Sequence, residues 1–541
     1  MKRMILYNGK VYLEREKFAE AVLVEDDRIG AVGTNEEILA QKTADTELLD
    51  LEGKTVIPGL NDSHAHVLFL GEYLNSVQLL GVESIEEVIQ RGKEFLATHT
   101  LLPGQVLTGQ GWNQEQFPEN ERRFLDRHDL DRISTEIPII FNRTCGHVVS
   151  CNTKALEVAG YTADTPQPEG GSFEIGEDGK PNGIFKELAD RQLKKIIPPP
   201  TIESIKQEIM LGARHMISLG ITSGQSMNIK EHEEQKSIFP AILQLRDQGK
   251  FPMRMCEQNY FTDPEYLEAY LESDFYKNLK QDNIYKQGTI KTFLDGSLGG
   301  RTALMKRDYA DAPGERGLHA VSKADFERIV QIAHAHHLQV LVHAIGDEAI
   351  EIALDTFDRV NQHGPNVNRH GILHCQITDY SMLKRFKETD TLAVVQPVFL
   401  NSDWSIVDKR VGVDLAKTSY AFKTMLDLGV HVALGTDCPT EDINPFECIY
   451  CAVTRKDLKG RPEGGYHPEE CLDIYEAIDG YTQGSAYVSF EENEKGRIQK
   501  GYYADLAVLD QDIFTVPKDK IKDIHADLTM VGGNIVFRRE S

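Results

Sequence analysis

The spacing of apolar and polar positions divides the chain into two kinds of territory. Residues 1–57 carry short alternating runs, MILYNGKVYL, AVLVEDDRIGAVG and LLDLEGKTVIPG, which read as strands punctuated by turns. Asn8-Gly9, between two such runs, predicts a hairpin. Residues 488–541 behave alike, with ADLAVLD and then LTMVGGNIVFR around a Gly-Gly-Asn turn. Neither end holds enough strands to close a sheet alone. Both are therefore expected to pair into one small discontinuous β-sandwich domain.

Between them, over 58–487, β-type apolar runs alternate with amphipathic helical stretches. The strands read as VIPGLNDSHAHV, ITSGQSM, MRMCEQNYF, TIKTFLDGS, QVLVHAIGD, GILHCQIT, LAVVQPVFL and VHVALGTDCPT. Helical segments such as KADFERIVQIAHAHH and DEAIEIALDTFDRVNQH separate the later ones. Eight strands alternating with helices predict an α/β fold, a (β/α)8 TIM-type barrel. One spacing is anomalous, because the stretch between the first two strands is far longer than one helix needs. It predicts an inserted subdomain over about residues 70–200, after the first strand and above the mouth.

Composition narrows the partners. Lys plus Arg total 59 against 85 Asp plus Glu, a formal net charge of -26. Phosphate backbones and anionic lipid repel such a chain, so neither nucleic acid nor a membrane is expected as a partner. No run reaches the roughly 20 apolar residues a membrane helix requires, and the N-terminus alternates like a strand rather than a signal peptide. Eight cysteines without framework spacing fit free thiols in a reducing cytoplasm. Cys448 and Cys451 form a CxxC with no second pair, which favours buried helix residues over a structural zinc. A homodimer is a reasonable expectation for such an enzyme.

The candidate chemistry sits at strand ends. His64 and His66 lie two apart in NDSHAH, so both imidazoles share one face and can converge on one ion. His343 closes QVLVHAIGD, His374 closes GILHCQIT, and Asp437 ends VALGTD. Each alone fits a buried histidine or a turn-capping aspartate. Together, at the C-terminal ends of strands one, five, six and eight, they ring one barrel mouth. Lys291, amid apolar neighbours in TIKTFLDGS, reads either as a snorkelling or paired lysine or as a buried, neutral amine able to react. Uptake of CO2 would make it an anionic carbamate able to bridge two cations.

NDSHAH, the strand-four lysine, LVHAIGD, LHC and GTDCP, flanked by terminal β segments, resemble the amidohydrolase superfamily. GQGWNQ, CGHVVSCNTKAL, KTFLDGSLGGRTA and KGYYADLAVLD look like its amidohydrolase-3, YtcJ-like branch, which is similar to N-substituted formamide deformylases. The resemblance covers nearly the whole chain. It implies His64, His66, carboxylated Lys291 and Asp437 around one metal, with Lys291, His343 and His374 holding a second. Zinc suits imidazole and carboxylate donors, with Mn or Fe as alternatives and one or two ions per chain.

The expected activity is hydrolysis of an amide-like C–N bond in a small molecule, such as an N-formyl or N-acyl amine. A bound cation lowers the pKa of its water from 15.7 towards ~7, and Asp437 would take that proton and deliver it to the leaving nitrogen. Trp112 is expected to wall the pocket, and His147, Asp295 and Arg301 to meet substrate. Asp347, four residues after His343, is expected to orient it. The histidines of AHAHH (334–337) fall outside the site. Deamination or isomerisation on the same metal site would read nearly identically. A non-catalytic regulator is disfavoured by the full ligand set, and a carbohydrate-active barrel by histidines outnumbering carboxylates at strand ends.

Overall fold

The computed structural model describes all residues except 1, 102–103, 144–147, 169, 188, 230–231 and 541. The chain divides into two compact units, one made of 1–67 with 213–541 and the other of 68–212. The first contains an eight-stranded parallel sheet: Leu60–Ala65, Ile221–Ser226, Arg254–Tyr260, Tyr285–Phe293, Gln339–Ala344, Gly371–His374, Leu392–Val395 and Val432–Leu434, each beside the next in chain order. Sequential parallel neighbours with intervening helices give the expected TIM-type α/β barrel. Strands six and seven, GILH and LAVV, are buried throughout, as strands covered on both faces must be.

The eighth strand is only three residues long, and the seam to the first closes beyond its end. There the Asp437 N–H donates to the His64 carbonyl at 2.8 Å, and the His66 N–H to the Cys438 carbonyl at 2.9 Å.

The fourth strand carries an irregularity with chemical consequences. Opposite the third strand, Glu257 pairs with Gln287 but Gln258 pairs with Thr289, so Gly288 is an extra residue, a β-bulge. The bulge shifts the side-chain alternation by one. Lys286, paired with Cys256, and Lys291, paired with Tyr260, therefore both face the barrel interior although Lys291 is the fifth residue after Lys286, an odd offset.

The two chain ends form a pair of stacked sheets in the same unit. One orders Arg28–Gly33, Ala21–Glu25, Arg3–Tyr7 and Thr46–Asp50. The other orders Asn534–Arg538, Ala526–Val531, Leu506–Leu509, Thr55–Pro58, Lys10–Glu14 and Lys17–Ala19. Met4, Leu6, Val22 and Val24 pack there with Val56, Leu506, Val508 and Met530. Gly532 and Gly533, both left-handed, make the turn between the last two strands. Asn8-Gly9 is different. Asn8 is left-handed, yet the strands it joins lie in different sheets, so the turn is a crossover and not a hairpin. The run VIPGLNDSHAHV likewise divides: Thr55–Pro58 belongs to a terminal sheet and Leu60–Ala65 to the barrel. Gly59 stands at the junction, where a Cβ would fall 2.2 Å from the Thr222 hydroxyl.

The second unit is built on a six-stranded mixed sheet, ordered Gly171–Ile175, Pro181–Glu187, Val148–Cys151, Ile139–Arg143, Leu107–Trp112 and Val77–Gln78. No helix among the described residues is long and apolar enough to cross a membrane.

Candidate active site

His64 and His66 lie at the end of the first barrel strand, and their Nε2 atoms stand 3.1 and 2.9 Å from Asp437 Oδ1. His66 Nδ1 is 2.7 Å from the Met227 carbonyl. A carbonyl only accepts, so Nδ1 carries a proton and Nε2 is the atom turned towards Asp437. His64 repeats the arrangement: its Nδ1 lies 2.5 Å from Gln258 Oε1, while the Gln258 amide donates to the Ser63 carbonyl at 3.0 Å and fixes which end faces the ring. Two imidazole nitrogens thus face one carboxylate oxygen, a set of N and O donors that fits a metal ion. Among the described residues, the donors of His64, His66 and Asp437 all fall within 4.8 Å of one another.

His374 and His343 complete the ring. The His374 ring centre is 4.4 Å from that of His343 and 5.8 Å from that of His64. Gln396 Oε1 lies 2.7 Å from His374 Nδ1, directing Nε2 inward as Gln258 does for His64. His343 is turned the other way: Nε2 donates to the Gly296 carbonyl at 3.1 Å, with Asp295 at 3.5 Å, so Nδ1 keeps the lone pair. Burial pushes His64 and His374 below the ordinary imidazole range and His343 down to about 3, with the Lys291 ammonium adding to each, a shift towards the neutral form that binds metal. Burial pushes Asp437 up, but His64, His66 and His374 outweigh it and hold the carboxyl well below its usual range. His374, Cys375 and Asp437 take φ of 77°, 48° and 58°, a left-handed backbone that costs energy outside glycine and gathers at working sites.

Lys291 is wholly buried. Its Nζ has the Thr292 carbonyl at 3.4 Å and the Phe293 ring centre at 3.7 Å, with no carboxylate within ion-pair distance among the described residues. Burial lowers it to about 7, against the upward pull of Asp437 and Asp295, so a neutral amine is available near neutral pH.

Asp295 is not an open substrate contact. It is buried and accepts N–H bonds from Leu304, Ile345 and Gly346 at 2.8–3.3 Å, knitting the loop after strand four to the turn after strand five. Asp347 heads a helix and accepts the Lys306 N–H at 2.8 Å; the carboxylate beside His343 is Asp295 instead. Arg301 is half-exposed and paired with Asp311 at 3.0 Å. Trp112, expected to wall a pocket, is a fully buried core residue of the second unit, donating to the Phe141 carbonyl at 3.3 Å and packed with Phe117 and Leu125. His147 lies outside the described residues. Cys448 and Cys451 are free thiols buried on one helix. The sequence reading missed Gln258, Gln396 and Asp62. The signal for Gln396 was a polar residue inside an otherwise apolar run, VVQPVFL, whereas Gln258 stands between Glu257 and Asn259 in CEQNYF and carries no such signal.

A parallel barrel with histidine and aspartate donors at the C-terminal strand ends defines the class of barrel hydrolases that work with a bound metal. The chain belongs to the amidohydrolase family, whose model matches residues 47–537. It is 31% identical to the putative amidohydrolase YtcJ of Bacillus subtilis, over 99% of this chain and 100% of that protein. At 25% it is similar to an N-substituted formamide deformylase of Arthrobacter pascens, over 100% and 99% of the two chains. Among solved structures, an uncharacterized metal-dependent hydrolase from Pyrococcus horikoshii OT3 superposes with a TM-score of 0.77 at 30% identity, covering 96% of this chain and 99% of that one.

Proposed function

We propose that this amidohydrolase cleaves an amide-like C–N bond, in an N-formyl or N-acyl amine of small size, at a binuclear centre in the barrel mouth. The observation that carries the reading is the convergence of the His64 and His66 Nε2 atoms on Asp437, beside a buried lysine with no carboxylate within ion-pair distance among the described residues. His64, His66 and Asp437 would hold one divalent ion, and His343 with His374 a second. Zinc suits these donors. Lys291, as the carbamate formed when its amine adds to CO2 and loses a proton, would ligate both. When bound, the ions supply Lewis-acid polarisation of a carbonyl and an acidified water.

The chain's own residues do the rest. Gln258 and the Met227 carbonyl keep the first pair of imidazoles in the ligand tautomer, and Gln396 does so for His374. Asp437, held ionised, takes a proton from water and hands it to the leaving nitrogen. The relative from Arthrobacter pascens is a deformylase of N-substituted formamides by name, which supports that substrate class here.

The test is metal content per chain, by elemental analysis of wild type and Lys291→Ala grown with zinc supplied. Two ions in wild type and fewer in the variant are expected, with turnover of N-formyl amines by wild type. One ion in both removes the bridging lysine. No ion under any loading undoes the mechanism.

A further inference from the structure

Asp62 lies two residues before His64 and is wholly buried, yet it is not among the groups that converge on the centre. Its carboxylate instead spans the barrel seam. Oδ1 accepts the His64 N–H at 3.1 Å and the Thr436 N–H at 3.2 Å. Oδ2 accepts the same Thr436 N–H at 3.1 Å and the Thr436 hydroxyl at 2.8 Å. The reason lies in the short eighth strand, Val432–Leu434. Past its end the backbone turns into the left-handed Asp437, and the Thr436 N–H finds its acceptor in this side chain. Gly435 permits the close approach: a Cβ there would stand 2.7 Å from both Asp62 Oδ1 and the His64 nitrogen.

We propose that Asp62 is a positioning residue that fixes the distance between His64 and Asp437, and so the spacing of the first metal's donors. One carboxylate holds the backbone of His64 on one strand and, through Thr436, the residue before Asp437 on the next. The bonds Asp437 N–H to His64 carbonyl and His66 N–H to Cys438 carbonyl then fall into register on the same seam. Asparagine has nearly the same shape but offers one oxygen where two are used, and its amide would oppose the Thr436 N–H donor to donor. A buried donor left without an acceptor relaxes the seam rather than the whole barrel. Outer-shell partners of this kind typically change metal affinity about 10–100-fold.

This inference rests on the metal-centre reading above, and the test separates the two. Zinc affinity would be measured by chelator competition on wild type, Asp62→Asn, Thr436→Val and the double variant, each first verified as folded by circular dichroism. Asp62→Asn is expected to weaken zinc about tenfold or more, with Thr436→Val, which removes only the hydroxyl bond, weaker in effect. The double variant should match Asp62→Asn, because both changes strike one linkage. Wild-type affinity in Asp62→Asn overturns the positioning role and leaves the metal centre standing, as does strict additivity in the double variant. If Asp62→Asn does not fold, Thr436→Val carries the decision: affinity equal to wild type overturns the role. A wild-type chain that binds no zinc overturns both readings.

Discussion

Lys286 and Lys291 lie on the same strand and face the same barrel interior, yet their surroundings differ completely. At the N-terminal end of the strands, Lys286 Nζ meets Glu491 at 2.9 Å, and Lys495 meets the same carboxylate at 2.5 Å while reaching the Ser223 hydroxyl at 3.3 Å. At the mouth, Lys291 has a ring face and a carbonyl, and among the described residues no acid within ion-pair distance. Lys291 is wholly buried, while at the other end Glu491 and Lys495 are buried and Lys286 is half-buried. The difference lies in the partner: a paired ammonium is a strut, whereas an unpaired one loses its proton easily and becomes a reagent. The comparison warns against reading any buried lysine in a barrel as reactive.

The largest effect that would sharpen this contrast comes at the mouth. His64→Ala or His343→Ala should abolish turnover and cut metal content, while thermal unfolding shows the fold retained; wild-type turnover in either breaks the site. Asp437→Asn should lower kcat by about 10²–10⁴-fold in protein that stays folded. At the other end, Glu491→Ala leaves two lysines in the interior without a carboxylate. It should cost about 3–5 kcal/mol of stability in denaturant unfolding and leave metal content unchanged.

The pH dependence of that strut has a definite sign. Burial pushes Glu491 up, but Lys495 and Lys286 outweigh it and bring the carboxyl from its ordinary 4.5 down to about 2. A depressed folded value means the stabilisation is whole above pH 4.5 and drains away as pH falls towards 2. The shift is worth roughly 3 kcal/mol. The stability gap between wild type and Glu491→Gln should therefore shrink over that window, and a gap independent of pH would break the assignment. The smallest effect is expected at Arg301→Ala, which removes an ion pair at the surface and should change neither melting nor turnover measurably.

Much of this architecture was legible in the sequence, and the exceptions share a cause. His64, His66, His343, His374 and Asp437 follow apolar strand runs directly, so alternation and strand ends suffice to place them. Lys291 was recognisable by its apolar neighbours, but its inward direction depends on the bulge at Gly288, visible only in the pairing with strand three. Asp295 and Asp347 were interchanged in their relation to His343 because nearness along the chain stood in for nearness in space. Trp112 was misplaced for a similar reason, since a glycine-rich stretch, GQGWNQ, turned out to be a strand with a buried face. Asn8-Gly9 shows that a turn signal fixes a local bend and leaves open which sheet receives the next strand.

Thr55–Pro58 pairs antiparallel with Leu506–Leu509, so neighbouring strands of one sheet leave the ribosome roughly 450 residues apart. At about 5–20 residues per second, the early strand waits roughly 20–90 seconds for its partner. Until then Val56 has only its early neighbours, Val11 in the adjoining strand with Met4, Leu6, Val22 and Val24, and lacks Leu506, Val508 and Met530. The terminal sheet is therefore completed only when almost the last strand has been made.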